Sequence, residues 1–405
     1  MSLSLPRMGD KYSPLYFLAS LGAGGLTVTF FMYLMFWVPH PGQPVPVFED
    51  LMAAFATGGP LMQATIAAAM AGIAVFAFLN IRYLVWNLRS YAAFAGTDAF
   101  RALRQSNAET QILAMPLALA MSVNVGFILG LVFVPQLWTV VEYLFPMAIL
   151  AFLAIGYLAF RQIGGFLGRV LVKGGGFSHK ANNSYAQLLP AFALSMVGVG
   201  LAAPAAMSTT PLVAGISIIA STFFLAAALI YGAVALVLGV HAMMEHGAAE
   251  EAAPTLMVVI PILTVLGILM LRQEHGLHVH FGVEGAAGDT LAFLGSLLSV
   301  QVLFLMLGLL VLNGQDYARK YLSAGGKRSP GSYALVCPGV ALSVMLHFFV
   351  NKGLVGAGII AQFGIAYWGL TAIALGFQVA MIALVFWLNR LHFAPEAGAR
   401  AIPAE

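Results

Sequence analysis

The chain is 405 residues long, 61% hydrophobic and 8% charged, with a formal net charge of +3 and a mean hydropathy of +0.93. Soluble domains carry about 25% charged residues, so a single soluble core is excluded; the chain is an integral membrane protein whose partner is the lipid bilayer, and no nucleic-acid partner is expected. The only cysteine, Cys337, leaves no room for an intramolecular disulfide.

A membrane-crossing helix needs about 20 mainly apolar residues. Ten such stretches are centred near residues 26, 71, 124, 149, 196, 226, 262, 302, 342 and 376, which predicts an all-α fold with residues 1–405 forming one transmembrane domain. Residues 1–13 are a short polar N-terminus, and no small-residue cleavage site clearly follows the first stretch, so it is expected to be a retained span rather than a signal peptide. That span carries Pro14 and then Ser20, Gly22, Gly24, Gly25 and Thr27. A Pro-rich outer loop (38–51) leads to the second span, and residues 82–111 on the inside are expected to contain an interfacial helix.

The third span holds Pro116, Ser122, Asn124 and Gly126; the fourth has Glu142 near its outer end, where its charge can stay wet. An inner loop (161–184) with the flexible run Lys173-Gly-Gly-Gly176 precedes the fifth span, which contains Pro190, Ser195, Gly198 and Gly200. The sixth ends in His241-Ala-Met-Met-Glu245-His246, and the seventh holds Pro261, Thr264 and Gly267. Next comes an outer loop (271–289) with Glu274-His275-Gly-Leu-His278-Val-His280. Gln301 lies in the eighth span, Pro338, Gly339, Ser343 and His347 in the ninth, and Gln378 in the tenth, ahead of a tail at 391–405.

Pro14, Pro116, Pro190, Pro261 and Pro338 recur near the start of every odd span. The expectation is five helical hairpins in quasi-five-fold arrangement, with the odd, proline-broken helices lining a central pore, because a carbonyl freed by proline in lipid must find a partner or face water. Ser20, Thr27, Ser122, Asn124, Ser195, Thr264, Gly339 and Ser343 are the candidate pore-lining residues. The plainer reading is that Ser and Thr bond back to their own helices and that small residues allow close helix approach. Gln301 and Gln378, on even spans, are expected to be structural.

Cytoplasmic loops collect Lys and Arg. With ten spans, sixteen of the eighteen Lys and Arg residues fall on the side of the termini and only Arg272 and Lys352 on the other, which predicts both termini in the cytoplasm; the inner membrane of a bacterium is the expected location given the resemblance set out below. The odd helices, with Arg272 assigned to a loop, are expected to hold no Asp, Glu, Lys or Arg. Proton relays and cation sites usually need such residues. A neutral or anionic permeant follows from their absence. No catalytic constellation or cofactor motif is recognised, so an enzyme is not expected.

The five hairpins, the run Pro14-Leu-Tyr-Phe-x-x-x-Leu-Gly-x-Gly-Gly25, and Tyr185-Ala-Gln-Leu-Leu-Pro190 resemble the tellurite-resistance/dicarboxylate transporter family, which includes the plant slow-type guard-cell anion channels. The resemblance covers nearly the whole chain. It implies a homotrimer of ten-helix protomers, each with its own pore for small anions such as halide, nitrate, sulfite or dicarboxylate. In that family a phenylalanine just before a helix break in the ninth helix plugs the pore. Here the matching run is Tyr333-Ala-Leu-Val-Cys337-Pro338-Gly339, so Cys337 stands in the plug position, as in a divergent branch with cysteine or selenocysteine there.

The gate is therefore expected at Cys337 and Pro338, with Phe30, Phe127 or Phe192 as alternative closing aromatics. The other class of reading is a membrane thiol- or metal-linked redox or stress-resistance protein acting through Cys337, against which a buried cysteine is simply a small hydrophobe. His275, His278 and His280 offer a metal site in an outer loop, against the reading that they are only solvated.

Overall fold

A computed structural model describes residues 5–6, 8–172, 174 and 176–393. Of the sixteen basic residues assigned above to one side, Arg7, Lys173 and Arg400 lie outside the described residues, as do 1–4 and 394–405 of the expected terminal segments. Among the described residues ten helices are long and apolar enough to cross a membrane: α1 (Pro14–Trp37), α2 (Pro60–Phe94), α3 (Asn107–Phe133), α4 (Leu137–Val172), α5 (Ala186–Met207), α6 (Pro211–His246), α7 (Ala253–Phe281), α8 (Ala287–Gly314), α9 (Pro330–Val355) and α10 (Ile365–Phe393). No strand occurs among the described residues. The fold is an all-α membrane fold. Short helices at Phe48–Thr57 and Asp98–Leu103 occupy the connections before α2 and after it, the second being the helix expected within 82–111.

The odd spans form the inner layer. α1 packs on α3, α3 on α5, α5 on α7, α7 on α9, and α9 back on α1, so the ring closes. Each even span lies in a groove between two odd ones: α2 on α1 and α3, α4 on α3 and α5, α6 on α5 and α7, α8 on α7 and α9, α10 on α9 and α1. Burial follows these layers: the apolar windows of α1 and α5 are 83% and 94% buried, those of α8 and α10 only 17% and 22%, leaving the even spans' apolar side chains to face lipid.

Every odd span starts with a 3-10 segment: Pro14–Tyr16, Asn107–Leu113, Ala186–Leu188, Ala253–Met257 and Pro330–Leu335. Four are opened by a serine whose hydroxyl accepts from the amide two residues on: Ser13 from Leu15, Ser106 from Ala108, Ser184 from Ala186 and Ser329 from Gly331, at 3.2–3.3 Å. The fourth repeat has Ala252 instead. There Thr255 bonds the Ala252 carbonyl and accepts the Tyr185 amide, tying two repeats together.

Of the five repeat prolines one lies in such a 3-10 segment and four lie just after one. Pro14 begins a 3-10 segment, Pro190 is second in its α segment, and Pro116, Pro261 and Pro338 are third in theirs. Leu113, Leu188, Val258 and Leu335, the residues before the last four of these α segments, are themselves in the αR conformation, so each of these four prolines lies inside a continuous helical run, just past its 3-10 start. The prolines near the span starts therefore stand where the winding changes from 3-10 to α, and the irregularity of each odd span lies at that level.

A second interruption occurs toward the cavity end of α5, whose α segment ends at Leu201 and resumes at Ala203 beside Pro204. Ser217 of α6 bridges it, accepting the Ala205 amide at 2.8 Å and donating to the Leu201 carbonyl. Arg272 of α7 donates Nη1 to the Val199 carbonyl at 2.7 Å, a cation at a helix C-terminus. Gly276 of α7 lies against the same break, where a Cβ would stand 2.5 Å from the Ala205 carbonyl oxygen.

Candidate functional site

The ring encloses a cavity of about 1070 Å³ that opens between the ends of the odd spans, past Pro39–Val45, Gln362 and Phe363. Along each odd span its lining begins at a comparable depth, at Leu21, Met121, Phe192, Pro261 and Cys337, and continues toward the mouth. On the other side of that level Leu18, Leu117, Leu188 and Val336 are buried in one apolar cluster. The cavity is thus a vestibule with a blind end. Gly22 and Gly25 let α1 approach α9 there: a Cβ on either would come within 2.9 Å of the side chain of Val336 or Val340.

Of the expected gate residues, Cys337 and Phe192 are at the blind end and Phe127 lines the wall further out. Pro338 is buried in the opening turn of α9 and does not line the cavity. Phe30 points away from it, stacked on Phe76 of α2 with ring centroids 5.8 Å apart.

Of the expected pore-lining set, Asn124 and Thr264 line the cavity. The others do not, each for a local reason. Ser20 is engaged with Asn80 of α2, donating to its carbonyl at 2.9 Å. Thr27, Ser122 and Ser195 bond back to carbonyls of Ala23, Ala118 and Ala191 on their own helices. Gly339 admits Met381 of α10, and Ser343 is buried on the His347 face of α9. Even the two lining residues are engaged: Asn124 donates to the Ala120 carbonyl at 3.2 Å, while Thr264 donates to the Ala341 carbonyl and accepts from Gln301 at 2.7 Å. Gln301 and Gln378 are structural, Gln378 accepting from Tyr33.

The expectation of uncharged odd spans fails. α7 continues to Phe281, so Arg272 and Glu274 lie within it, and Lys352 lies in the π-helical end of α9; all three line the outer cavity. Glu109 is buried at the start of α3, paired with Arg169 at 2.9 Å and Arg104 at 3.3 Å. Glu142, near the outer end of α4, accepts from the Thr209 amide and the Ser208 and Thr209 hydroxyls at the cavity end of the bundle.

Arg272 and Lys352 are the two residues that the ten-span topology sets apart from the other described Lys and Arg, and both stand in the cavity wall. Arg272 spends one N–H on Val199, and Lys352 is exposed without a hydrogen bond or ion pair among the described residues. Glu274 sits beside Gly285, where a Cβ would lie 2.9 Å from its Oε1.

The histidine metal site is corrected by the same helix extension. A helical period of 3.6 keeps His275 and His278 on one face and turns His280 away from both. Only His275 and His278 line the cavity; His278 Nδ1 is 3.0 Å from the Val283 carbonyl and His280 Nε2 is 2.9 Å from that of Ser208. No group of three metal-binding side chains converges among the described residues.

No protein-family model and no curated protein matches this chain.

Sequence reading missed the wall residues Arg272, Lys352, Met196, Phe36 and Asn351. The available signal was the charge count itself, which had isolated the two cations. Behind the wall, His347 is buried with neither ring nitrogen hydrogen-bonded, among the rings of Tyr33, Phe36 and Trp37. Trp37 donates to Tyr367, Tyr367 to Asn351, and Asn351 to the His347 carbonyl, joining α1, α10 and α9.

Proposed function

We propose that this protein is a passive membrane pathway for small anions, a channel or carrier of the tellurite-resistance/dicarboxylate transporter type, working as a homotrimer in a bacterial inner membrane with both termini cytoplasmic. The observation that carries the reading is the pairing of a closed five-helix ring with Arg272 and Lys352, the only Lys or Arg among the described residues that line the cavity. With Glu274 in the same wall these charges sum to a formal +1, and a net cationic wall favours anions over cations. Cys337 and Phe192 form the closure at the blind end, so opening requires movement at that level. The orientation rests on the basic residues gathered at the other end.

The test is the reversal potential of the purified protein in liposomes across chloride and nitrate gradients. Anion selectivity is expected, falling in Arg272→Gln and Lys352→Gln and falling further when Asn124→Asp adds a negative charge to the wall. A cation-selective current, or no flux of either sign, defeats the proposal.

A further inference from the structure

We infer that the preferred occupant of this cavity is an amphipathic organic anion, one acid group carried on an aromatic or alkyl body, and not a bare halide. The inference rests on the anion reading above and names the class of anion.

The deep half of the cavity is walled by Met121, Met196, Phe127, Phe192, Val340 and Val344. A halide leaving water needs donors around it in place of its hydration shell. Asn124 and Thr264 are the polar side chains at that depth, and both donate to backbone carbonyls. The charges lie toward the mouth: Arg272 is eleven residues beyond Pro261 on the same helix, an axial distance of about 16 Å at 1.5 Å per residue. A cation at that distance above an apolar chamber fits a molecule whose acid group pairs with Arg272 and Lys352 while its body fills the chamber. At about 1070 Å³ the cavity is at the upper end of the 300–1,000 Å³ typical of organic-ligand sites, far beyond the need of a monatomic ion. Glu274 also lines the mouth, but it sits beside Gly285, and it disfavours a second acid group on the same ligand.

The experiment uses the full chain in liposomes and nanodiscs, with linear alkanesulfonates from methane- to hexanesulfonate as probes, because sulfonates stay ionised. Chloride flux is expected to be inhibited from the cavity side, with affinity rising about three- to fourfold per added methylene, the factor for burying one CH₂. Hexanesulfonate inhibition is expected to weaken at least tenfold in Arg272→Gln. Lys352→Gln, at an exposed residue, gives the same direction of change should the first variant fold poorly. Inhibition independent of chain length, no inhibition while chloride flux persists, or chain-length-dependent inhibition unchanged in both variants overturns the inference and leaves the anion pathway standing. If chloride flux is absent, fluorescence of Trp37 at the mouth reads binding directly. A chain-length-dependent change that needs Arg272 or Lys352 then upholds the inference while the passive-channel reading falls, and no change overturns both.

Discussion

Charged thiol reagents can read the electrostatics of the cavity at its blind end, because Cys337 is the only cysteine in the chain. The perturbation is the sign of the reagent: sulfonatoethyl methanethiosulfonate carries −1 and its trimethylammonium counterpart +1. A rise of 1.5 Å per residue puts Arg272, Glu274 and Lys352 at axial distances of about 16, 20 and 22 Å from the level of Pro261 and Cys337. With an effective dielectric constant of about 40, between the protein-surface value and water, a unit anion at that level gains about 0.5 kcal/mol from Arg272, loses about 0.4 to Glu274 and gains about 0.4 from Lys352. The net is about 0.5 kcal/mol, so reagents of opposite sign differ by about 1 kcal/mol, a roughly fivefold faster reaction for the anion. The assay is the rate of Cys337 modification in nanodiscs at about 10 mM salt, where the Debye length of about 30 Å leaves these charges unscreened. Arg272→Gln brings the ratio to about one and Glu274→Gln raises it to about twenty on the same arithmetic. A preference for the cationic reagent, or a ratio that Arg272→Gln leaves untouched, refutes the cationic-wall reasoning.

Three further outcomes are expected. Gly276→Ala forces a methyl toward the Ala205 carbonyl oxygen at the α5 break, and overpacking against backbone lowers stability by about 1–3 kcal/mol, read as a fall in Tm of the purified protein; an unchanged Tm would show that the two helices can separate freely. Ser329→Ala removes the hydroxyl that accepts the Gly331 amide and costs about 1 kcal/mol, while Ser106→Ala and Ser184→Ala cost similar amounts if the repeated caps are equivalent. Glu250, between α6 and α7, is held below the usual carboxylate range chiefly by its hydrogen bond to Lys320. Its stabilising contribution is therefore complete above the unfolded carboxylate pKa and lost as pH falls through the lower folded value, so the acid-side decline of Tm should flatten in Glu250→Gln; an identical decline in both proteins rules the pair out.

The architecture was largely legible in the sequence. Span count, hairpin pairing and the inner position of the odd helices follow from apolar length and from small residues recurring with proline, both local properties of the chain. The serine caps of the 3-10 starts were visible as Ser13, Ser106, Ser184 and Ser329, but Ala252 interrupts the series and hides its period. The site was less legible because a helix has faces. Asn124 and Thr264 turn inward, whereas Ser20 meets Asn80 and Thr27 returns to its own backbone, and composition cannot separate these cases. The largest error concerned one boundary: the Gly- and His-rich stretch after Leu271 signals a loop, yet contacts with the interrupted α5 carry the helix on to Phe281 and bring Arg272 into the wall.

Closure of the inner ring has a consequence for biogenesis. α1 leaves the ribosome first, but its neighbours α9 and α10 come last, roughly 300 residues later. At about 5–20 residues per second, α1 spends some 15–60 s with one flank uncovered. During that interval its glycine-rich face, destined for Val336 and Val340, lacks its native partner. A chain cut before α9 would keep that face permanently open, so truncation products should partner promiscuously with other membrane helices or be degraded.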